Sequence, residues 1–518
     1  MSKLNGGIIG PDNVPTGAFG SASGVWSLSD VTNYKKQGTW PVVLTGHQVA
    51  NSCRFNSGSS DYLNRTFSTG NRRTFTYSGW CKRPPEEETA FLTVGSGTTR
   101  SYIFITSSKL TVQNEVSSSV TTNLQTNAVY RDSSAWMHIV VAVDTTQGTE
   151  ANRIKIYVNG EQITSFGTSN YPSQNEDFSF NNNIVHEIGR TPWNNGNLYD
   201  GYFCEIVWID GLQLTPTSFG ETDSVTNNWV PKDVSGLTFG TNGFYMEYKE
   251  SGTGTDASGM GADTSGNTHH FAVNNLTAVD QSIDTCTNNF CTMNPLANFV
   301  TAATFTEGNL VTSFANGRGA CTSTFGLTTG KWYVEMNITT MPKDERFGLG
   351  ISPFETKAED LPHEANNQGL DISGYNAVIY ANLDDGSQVI DNFFGNNTTR
   401  FDSFTGIIGM ALDLTSSTKT IAFSKAGAWV TGGGTSDTDF SNALKVDIST
   451  AFARHSVWHV ANGTGNGDGT NGIFSMNFGS PAFAISSGNT DGNGYGNFEY
   501  AVPSGYFSLC TKNLAEYG

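Results

Sequence analysis

The sequence is poor in charged side chains, which make up only 14% of its 518 residues. Its polarity comes instead from serine, threonine, asparagine and 58 glycines. Aromatic residues are plentiful, at 12%, and this excludes an intrinsically disordered chain. A chain rich in glycine, small polar residues and aromatic residues is typical of all-β proteins with many turns.

Lysine and arginine are scarce. The sequence has 28 of them against 47 aspartates and glutamates, which gives a net charge of −19. An acidic protein repels phosphate backbones, so we expect no binding to nucleic acid. The sequence lacks any run of about eighteen apolar residues, so we expect no membrane insertion. Its first residues carry no apolar segment of the secretory type, and we therefore expect folding in the cytosol.

The seven cysteines lack a regular spacing. Cys286 and Cys291 are five positions apart, but no second cysteine or histidine pair follows at zinc spacing. With an odd count and cytosolic folding, we expect buried free thiols. The glycine-rich loop 462–472 has Asp468 as its only carboxylate, whereas Ca²⁺ prefers several. We expect no cofactor, and calcium stays a weaker alternative.

Alternating apolar and polar residues predict many short strands, and no long segment has a helical period. The strands of a first block, residues 46–235, are predicted at 74–84, 101–106, 109–116, 136–144, 154–160 and 203–211. Those of a second block, residues 299–518, are predicted at 331–340, 346–352, 377–382, 407–415, 420–427 and 472–479. The pattern predicts an all-β protein with two antiparallel β-sandwich domains, joined by a turn-rich but mostly ordered connector at 236–298.

Residues 1–45 differ from the rest of the chain. They are rich in glycine, proline and serine and show little periodicity, so we predict an extended N-terminal arm. A short helix is predicted between Trp26 and Trp40, and it would contain Tyr34. These three aromatic residues are our candidates for docking the arm onto a neighbouring subunit or a larger particle.

Two similar hairpins occur, one in each block. IKIYVNGEQI (154–163) contains Asn159-Gly160, which predicts a two-residue type I′ turn with positive φ at both positions. TIAFSKAGAWV (420–430) has Ala426-Gly427 at the matching place. Alanine carries a steric cost at positive φ, so we expect another turn type or a longer loop there.

The first block contains the segments GWCKRP, WMHIVVAVDTT, RIKIYVNGEQI and YDGYFCEIVWIDGLQLTPTSFGE. In these segments it resembles laminin-G-like, concanavalin A-like lectin and glucanase domains, over about residues 46–235. The second block resembles a SPRY domain, in GKWYVEMNIT, RFGLGIS, IIGMALDLTSSTKTIAFSKAGAWV and SMNFGSPAF. Both resemblances imply antiparallel sandwiches. The lectin resemblance also leaves Asp177, Glu187 and Asp200 as possible calcium ligands.

A third resemblance lies in DTSGNTHHFAVNNLTAVDQSIDTCTNNFCTMNPL, VPSGYFSLCTKNLAEYG and the arm segment GIIGPDNVPTGAFGSASGVWSL. These segments are similar to parts of virion proteins of marine tailed phages. The resemblance implies a virion protein of the tail fibre, appendage or capsid fibre type, located in the particle. It further implies other virion proteins as partners and a homo-oligomer, with trimers common among fibres.

Catalysis by a glucanase-like domain would need two carboxylates on one face of a strand. The nearest pair is Glu205 and Asp210, whose odd offset predicts opposite faces. We therefore expect a protein that is not an enzyme. The resemblances together predict a virion structural protein that contributes to binding of host-surface glycans. The alternatives are a capsid decoration or head-fibre protein with only structural contacts, and a glycan-degrading depolymerase.

The best candidate for sugar binding is the stretch TPWNNGNLYDGYF, residues 191–203. An aromatic platform with nearby amides and a carboxylate is the usual composition of such sites. The candidate residues are Trp193, Asn194, Asn195, Tyr199 and Asp200. The alternative is that Trp193 and Tyr199 cover the edge of the sandwich.

Overall fold

In the computed structural model, the described residues are 46–83, 88–223, 226–300, 303–315, 319–340, 347–353, 405–431, 435–449, 456–464 and 471–518. They form a nearly all-β chain, as predicted. No helix within these ranges is long and apolar enough to span a membrane. The predicted arm, with Trp26, Tyr34 and Trp40, lies outside the described residues, and so does the strand predicted at 377–382.

Sixteen of the first eighteen strands build a β-sandwich, and the other two form a separate pair. Their bounds are β1 Ser52–Phe55, β2 Tyr62–Thr66, β3 Thr74–Lys82, β4 Thr89–Ser96, β5 Thr99–Thr106, β6 Lys109–Val116, β7 Ser119–Thr126, β8 Met137–Asp144, β9 Ile154–Val158, β10 Glu161–Gln162, β11 Phe166–Asn170, β12 Val185–Ile188, β13 Gly201–Asp210, β14 Gly220–Thr222, β15 Trp229–Pro231, β16 Phe244–Met246, β17 Ala272–Asn274 and β18 Gln281–Ser282. Short 3-10 turns lie at Glu150–Asn152, Pro216–Ser218 and Ala278–Asp280.

Sheet 1 has the order β10-β9-β8-β3-β13-β1-β18, with β16 added beside β13. Sheet 2 has the order β11-β7-β6-β5-β4-β12-β2-β17, and β14 pairs with β15 separately. The inner faces of the two sheets enclose one apolar core, to which sheet 1 contributes Ile139 and Trp208 and sheet 2 contributes Leu92 and Ile103. Because inward residues alternate along each strand, the opposite positions form the outer faces.

The segment 236–298, expected to be an ordered connector, supplies three strands to these sheets. β16 pairs with β13, β17 with β2 and β18 with β1. Its turn-rich sequence therefore folds onto the first sandwich.

The second part of the chain builds another two sheets. Its strands are β19 Met293–Val300, β20 Thr304–Thr306, β21 Val311–Phe314, β22 Gly319–Ser323, β23 Lys331–Thr340, β24 Phe347–Pro353, β25 Gly406–Asp413, β26 Thr420–Lys425, β27 Ala428–Val430, β28 Ser436–Asp437, β29 Val446–Asp447, β30 Trp458–Thr464 and β31 Gly472–Asn477. A 3-10 turn at Phe440–Asn442 and a helix, α1 at Thr511–Tyr517, complete the described elements.

Sheet 3 has the order β19-β22-β30-β24, and sheet 4 the order β20-β21-β31-β23-β25-β26-β27-β28, with β29 beside β26. Trp332 and Met410 of sheet 4 share a core with Leu349 and Trp458 of sheet 3. The predicted loop 462–472 begins inside β30, whose Asn462 is buried and donates to Oγ1 of Thr312 at 3.0 Å. Asp468 lies outside the described residues.

Both hairpins have two-residue turns with positive φ at both positions. Asn159 and Gly160 have φ of 49° and 84°, as a type I′ turn requires. Ala426 and Gly427 have φ of 48° and 79°, so the expectation of another turn or a longer loop was wrong. The strand pairing on both sides leaves only these two residues for the connection, and Ala426 therefore takes the left-handed conformation.

A row of large polar side chains crosses the outer face of sheet 1. Arg54, Tyr202 and Lys82 are cross-strand neighbours on β1, β13 and β3, and all three are buried. The Arg54 guanidinium donates to Glu307, between β20 and β21, while Lys82 donates to Asp284. The buried Arg54 guanidinium therefore joins the two sandwiches through its ion pair with Glu307.

Candidate functional site

Sheet 2 carries a row of polar and aromatic side chains across its outer face. Gln113, Tyr102 and Thr93 are direct partners on β6, β5 and β4. The row continues to Asn123 on β7 in one direction and to Glu187 on β12 in the other. Paired residues in a sheet project to the same side, so five strands contribute to one polar surface.

The loop between β12 and β13 lies over the middle of this surface. The hydroxyl of Thr93 donates to the backbone oxygen of Arg190 at 2.6 Å. The amide of Ala90 donates to the oxygen of Asn197 at 3.0 Å. The ring of Trp193 lies 5.3 Å from that of Tyr102, centroid to centroid. The loop that the sequence singled out is therefore held against the sheet and does not project freely.

Trp193 contacts a cluster formed by β5 and β6. The guanidinium carbon of Arg100 lies 4.9 Å from the centroid of the indole ring. Glu115, the cross-strand partner of Arg100, accepts hydrogen bonds from Arg100 Nε at 2.5 Å, Tyr102 Oη at 2.5 Å and Gln113 Nε2 at 2.7 Å. The indole, the guanidinium and the carboxylate thus form one connected group.

The titration behaviour of this cluster follows from its hydrogen bonds. Burial by itself would raise the pKa of Glu115, but the bonds from Tyr102 and Arg100 hold that pKa below its ordinary value. Burial and the bond to Glu115 raise the pKa of Tyr102. At neutral pH the cluster therefore contains an ionised carboxylate, a cation and a neutral phenol.

A second group lies at the same face. Arg190 donates to both carboxylate oxygens of Glu187, at 2.8 and 2.7 Å, and its guanidinium carbon lies 3.4 Å from the centroid of the Tyr62 ring. Arg100 and Arg190 are thus each paired with a buried glutamate. The two guanidinium groups at this face are therefore neutralised by carboxylates.

The five predicted sugar-binding residues separate into two sets. Trp193 is partly exposed, and Asn194 and Asn195 are exposed beside it. Asn194 accepts from the Thr191 hydroxyl at 2.5 Å and orders the loop. Tyr199 is fully buried and stacks on Phe203 with centroids 4.0 Å apart, so it is a core residue and not part of a surface.

Asp200, the fifth candidate, is also buried, and it accepts from the backbone amide of Ser57 at 2.7 Å. Burial raises the pKa of Asp200, against the effect of this hydrogen bond. The other two calcium candidates also have partners: Asp177 accepts from Arg73 Nε at 2.7 Å, and Glu187 is paired with Arg190. Within the described ranges, no group of three or more histidine, cysteine, aspartate or glutamate residues is arranged to hold a metal ion.

Glu205 and Asp210 project from opposite faces of β13. Glu205 lies in a bulge with φ of 52° and accepts from the Tyr245 hydroxyl at 2.5 Å. Asp210 accepts from the backbone amides of Asn71 and Asn242 at 2.9 and 3.0 Å. These two carboxylates therefore do not flank a common cleft, as a glycosidase pair must.

Ser78 and His138 form a contact that resembles a catalytic dyad, with 2.8 Å between Oγ and Nε2. The indole N–H of Trp229 donates to His138 Nδ1 at 2.9 Å. The imidazole proton consequently sits on Nε2, which donates to Ser78 and has no lone pair to accept its proton. Burial lowers the pKa of His138 to about 3, so the ring stays neutral. This pair is structural.

Comparison with known proteins gives one family match. Residues 57–217 match the model described as the concanavalin A-like lectin/glucanases superfamily. This range lies inside the block for which the sequence resemblance was stated, and the match confirms that part of the resemblance. No curated protein sequence matches the chain.

Among solved structures, a heptameric SAP-like pentraxin from Limulus polyphemus is 13% identical, with a TM-score of 0.26 over 36% of this chain and 94% of its own. The SPRY domain of human HERC1 is 12% identical, with a TM-score of 0.22 over 36% of this chain and 96% of its own. Domains LG4-5 of the mouse laminin alpha1 chain are 9% identical, with a TM-score of 0.28 over 90% of this chain and 89% of theirs.

Proposed function

We propose that this chain is a carbohydrate-binding protein and that its ligand binds at the outer face of sheet 2, beside Trp193. The observation that carries the proposal is the contact of a partly exposed indole ring with the Arg100–Glu115 pair. The family match over residues 57–217 supports carbohydrate binding in general.

The surface offers the two kinds of contact that a sugar needs. An indole ring binds the apolar C–H face of a pyranose, while amides and charged pairs exchange hydrogen bonds with its hydroxyl groups. Gln113 and Asn195 lie beside the indole and the ion pair as amide donors and acceptors.

The same geometry favours a neutral sugar. A carboxylated or sulfated ligand gains most from a cation that is not already neutralised. Arg100 and Arg190 are each bound to a glutamate at this face, and the whole chain carries a net charge of −19. An acidic polysaccharide would be repelled, whereas neutral hydroxyl groups can join the existing hydrogen bonds.

At a finer level, we infer that the protein is a non-catalytic component of a phage virion, a tail fibre or appendage that binds host-surface glycans. This inference rests on the sequence resemblance of the arm and of the segments around residues 263–296 and 502–518. Its location would be the assembled particle, and its partners other virion proteins and further copies of itself.

The test is binding of the purified protein to immobilised host-surface polysaccharide and to a panel of neutral oligosaccharides. Trp193→Ala should lower affinity at least ten-fold, and Trp193→Phe should retain part of it because a ring remains. Asn195→Ala and Asn227→Ala are a matched pair, since both residues are exposed and have positive φ, of 54° and 59°. Only the first should weaken binding.

The charge preference is tested with one polysaccharide before and after oxidation of its primary hydroxyl groups to carboxylates. We expect the oxidised form to bind more weakly. Equal affinity of wild type and Trp193→Ala for every bound glycan would refute the site. Release of reducing ends during the incubation would refute the non-catalytic part.

A further inference from the structure

Two of the seven cysteines are in contact. The sulfur atoms of Cys204 and Cys286 lie 3.5 Å apart, and the two residues are separated by 82 positions in the sequence. Cys204 lies on β13 and is fully buried, whereas Cys286 is partly exposed at the surface of the first sandwich. Both are thiols in this structure.

The segment that carries Cys286 is fixed on both sides of the cysteine. Asp284 accepts from Lys82 Nζ at 2.8 Å and from the Trp136 indole at 2.9 Å. One residue after Cys286, the Thr287 hydroxyl accepts from the backbone amide of Val49 at 3.1 Å. The two sulfur atoms are thus held together by anchored backbone on each side.

The other five cysteines have different neighbours, and one of them, Cys81, packs in the apolar core of the first sandwich. Cys53 Sγ contacts Met260 Sδ at 3.1 Å, and Cys321 Sγ donates to Asn462 Oδ1 at 2.9 Å. Cys291 and Cys510 contact Thr324 and Ser508. In the described structure, Cys204 and Cys286 form the single cysteine pair within hydrogen-bond distance, so an oxidant that reaches Cys286 meets one specific partner thiol.

We propose that Cys204 and Cys286 are a site of oxidative modification, at which a peroxide converts the reduced pair into a disulfide bond. Cys286, the more exposed residue of the two, reacts first, and hydrogen peroxide oxidises its thiol to a sulfenic acid with release of one water. The Cys204 sulfur then attacks the Cys286 sulfur, forms the S–S bond and expels a second water. The two thiols lose two electrons and two protons, and the peroxide is reduced to water.

The cross-link would act on the junction between the sandwiches. The segment after Cys286 is hydrogen-bonded to residues 509–511. The backbone amide of Asn289 donates to Thr511 Oγ1 at 3.0 Å, and the backbone amide of Cys291 donates to the Leu509 oxygen at 2.9 Å. A Cys204–Cys286 bond would tie β13 covalently to this segment. If the chain folds with reduced thiols and later meets an oxidising medium, the disulfide bond would then stabilise the junction between the sandwiches.

The experiment treats the folded, reduced full-length chain with hydrogen peroxide, blocks free thiols and digests with trypsin under non-reducing conditions. We expect a linked product of residues 191–232 and 250–318, the tryptic peptides that contain Cys204 and Cys286. Because the second peptide also contains Cys291, the Cys291→Ser variant makes the assignment unambiguous. Oxidation should raise the midpoint of thermal unfolding, and reductant should reverse the rise.

Cys286→Ser is the negative control, and it replaces a partly exposed residue. It should fold, give no linked product and show no rise of the midpoint with peroxide. The proposal is overturned if Cys291→Ser gives no linked product. It is also overturned if Cys286 is oxidised to sulfinic acid without pairing, or if the linkage forms at other cysteines equally.

Discussion

Arg54 and Glu307 form an ion pair across the junction of the two sandwiches, with 2.9 Å between Nε and Oε2. The Arg54 side chain is fully buried, and its Nη2 also donates to Asp280 at 3.3 Å. Removal of water from a guanidinium is costly, so its partners must remain in place for the charge to be tolerated.

Arg54→Ala should destabilise the protein strongly, because it leaves the buried Asp280 and the partly buried Glu307 without their cation. We expect a loss of about 3–5 kcal/mol in the free energy of unfolding, measured by chemical denaturation. Arg73→Ala is the matched control, since its ion pair with Asp177 is about half exposed and should contribute at most about 1 kcal/mol. Similar losses for the two variants would contradict the role of Arg54.

Exchanging the first turn residue of the two hairpins should change the stability of the protein in opposite directions. Ala426→Asn should stabilise the protein by about 1 kcal/mol, because asparagine tolerates positive φ better than alanine. Asn159→Ala should destabilise it, since it adds the same strain and removes a 2.8 Å hydrogen bond from the His138 amide. Thermal unfolding measures both effects, and a destabilised Ala426→Asn would show that the turn is not strained.

The strands were predictable where apolar and polar residues alternate along the sequence. The predicted bounds 109–116 and 331–340 agree with β6 and β23 to the residue, because a buried face imposes a period of two on the sequence. The turn at Ala426 was not predictable from local preference. The Ala426 amide donates to the Ile407 oxygen at 2.9 Å, and a Cβ on Gly427 would lie 2.4 Å from the Tyr500 ring. Tertiary contacts thus fix both residues.

Glycan binding should weaken in acid because of Glu115. Its folded-state pKa lies below the ordinary value of 4.5, so its contribution is fully present above about pH 5 and is lost as the pH falls through the folded-state pKa. Protonation removes the acceptor for Arg100 and Tyr102. Affinity measured between about pH 7 and pH 3 should be constant and then fall, while Glu115→Gln should bind more weakly throughout with a flatter profile.

Only part of the candidate site could be predicted from the sequence. The loop with Trp193 was identified because aromatic and amide residues are adjacent there. Arg100, Gln113 and Glu115 were missed because they lie about 80–90 residues earlier and reach Trp193 only through the register of sheet 2. Inward and outward positions alternate along β5 and β6, and these polar residues occupy outward positions. That alternation in the sequence could have identified them as surface residues. Tyr199 follows the loop into the core, where its hydroxyl donates to the Lys82 oxygen.

The N-terminal arm should decide incorporation into particles if the virion proposal is correct. Deletion of residues 1–45 should abolish incorporation, and a triple alanine variant of Trp26, Tyr34 and Trp40 should reduce it at least ten-fold. Both are measured by quantifying the protein in purified particles. The truncated chain should still bind glycan, which serves as the control for folding. Normal incorporation without the arm would contradict this role.

The central claim, that Trp193 and the Arg100–Glu115 pair form a sugar-binding surface, is tested most directly by isothermal titration. Wild type and Trp193→Ala are titrated with a neutral oligosaccharide released from host-surface polysaccharide, with equal thermal midpoints of the two proteins as the control. We predict saturable binding by the wild type and a loss of at least ten-fold in affinity for the variant. Undiminished binding by Trp193→Ala, or no binding by the wild type to any released fraction, would contradict the account.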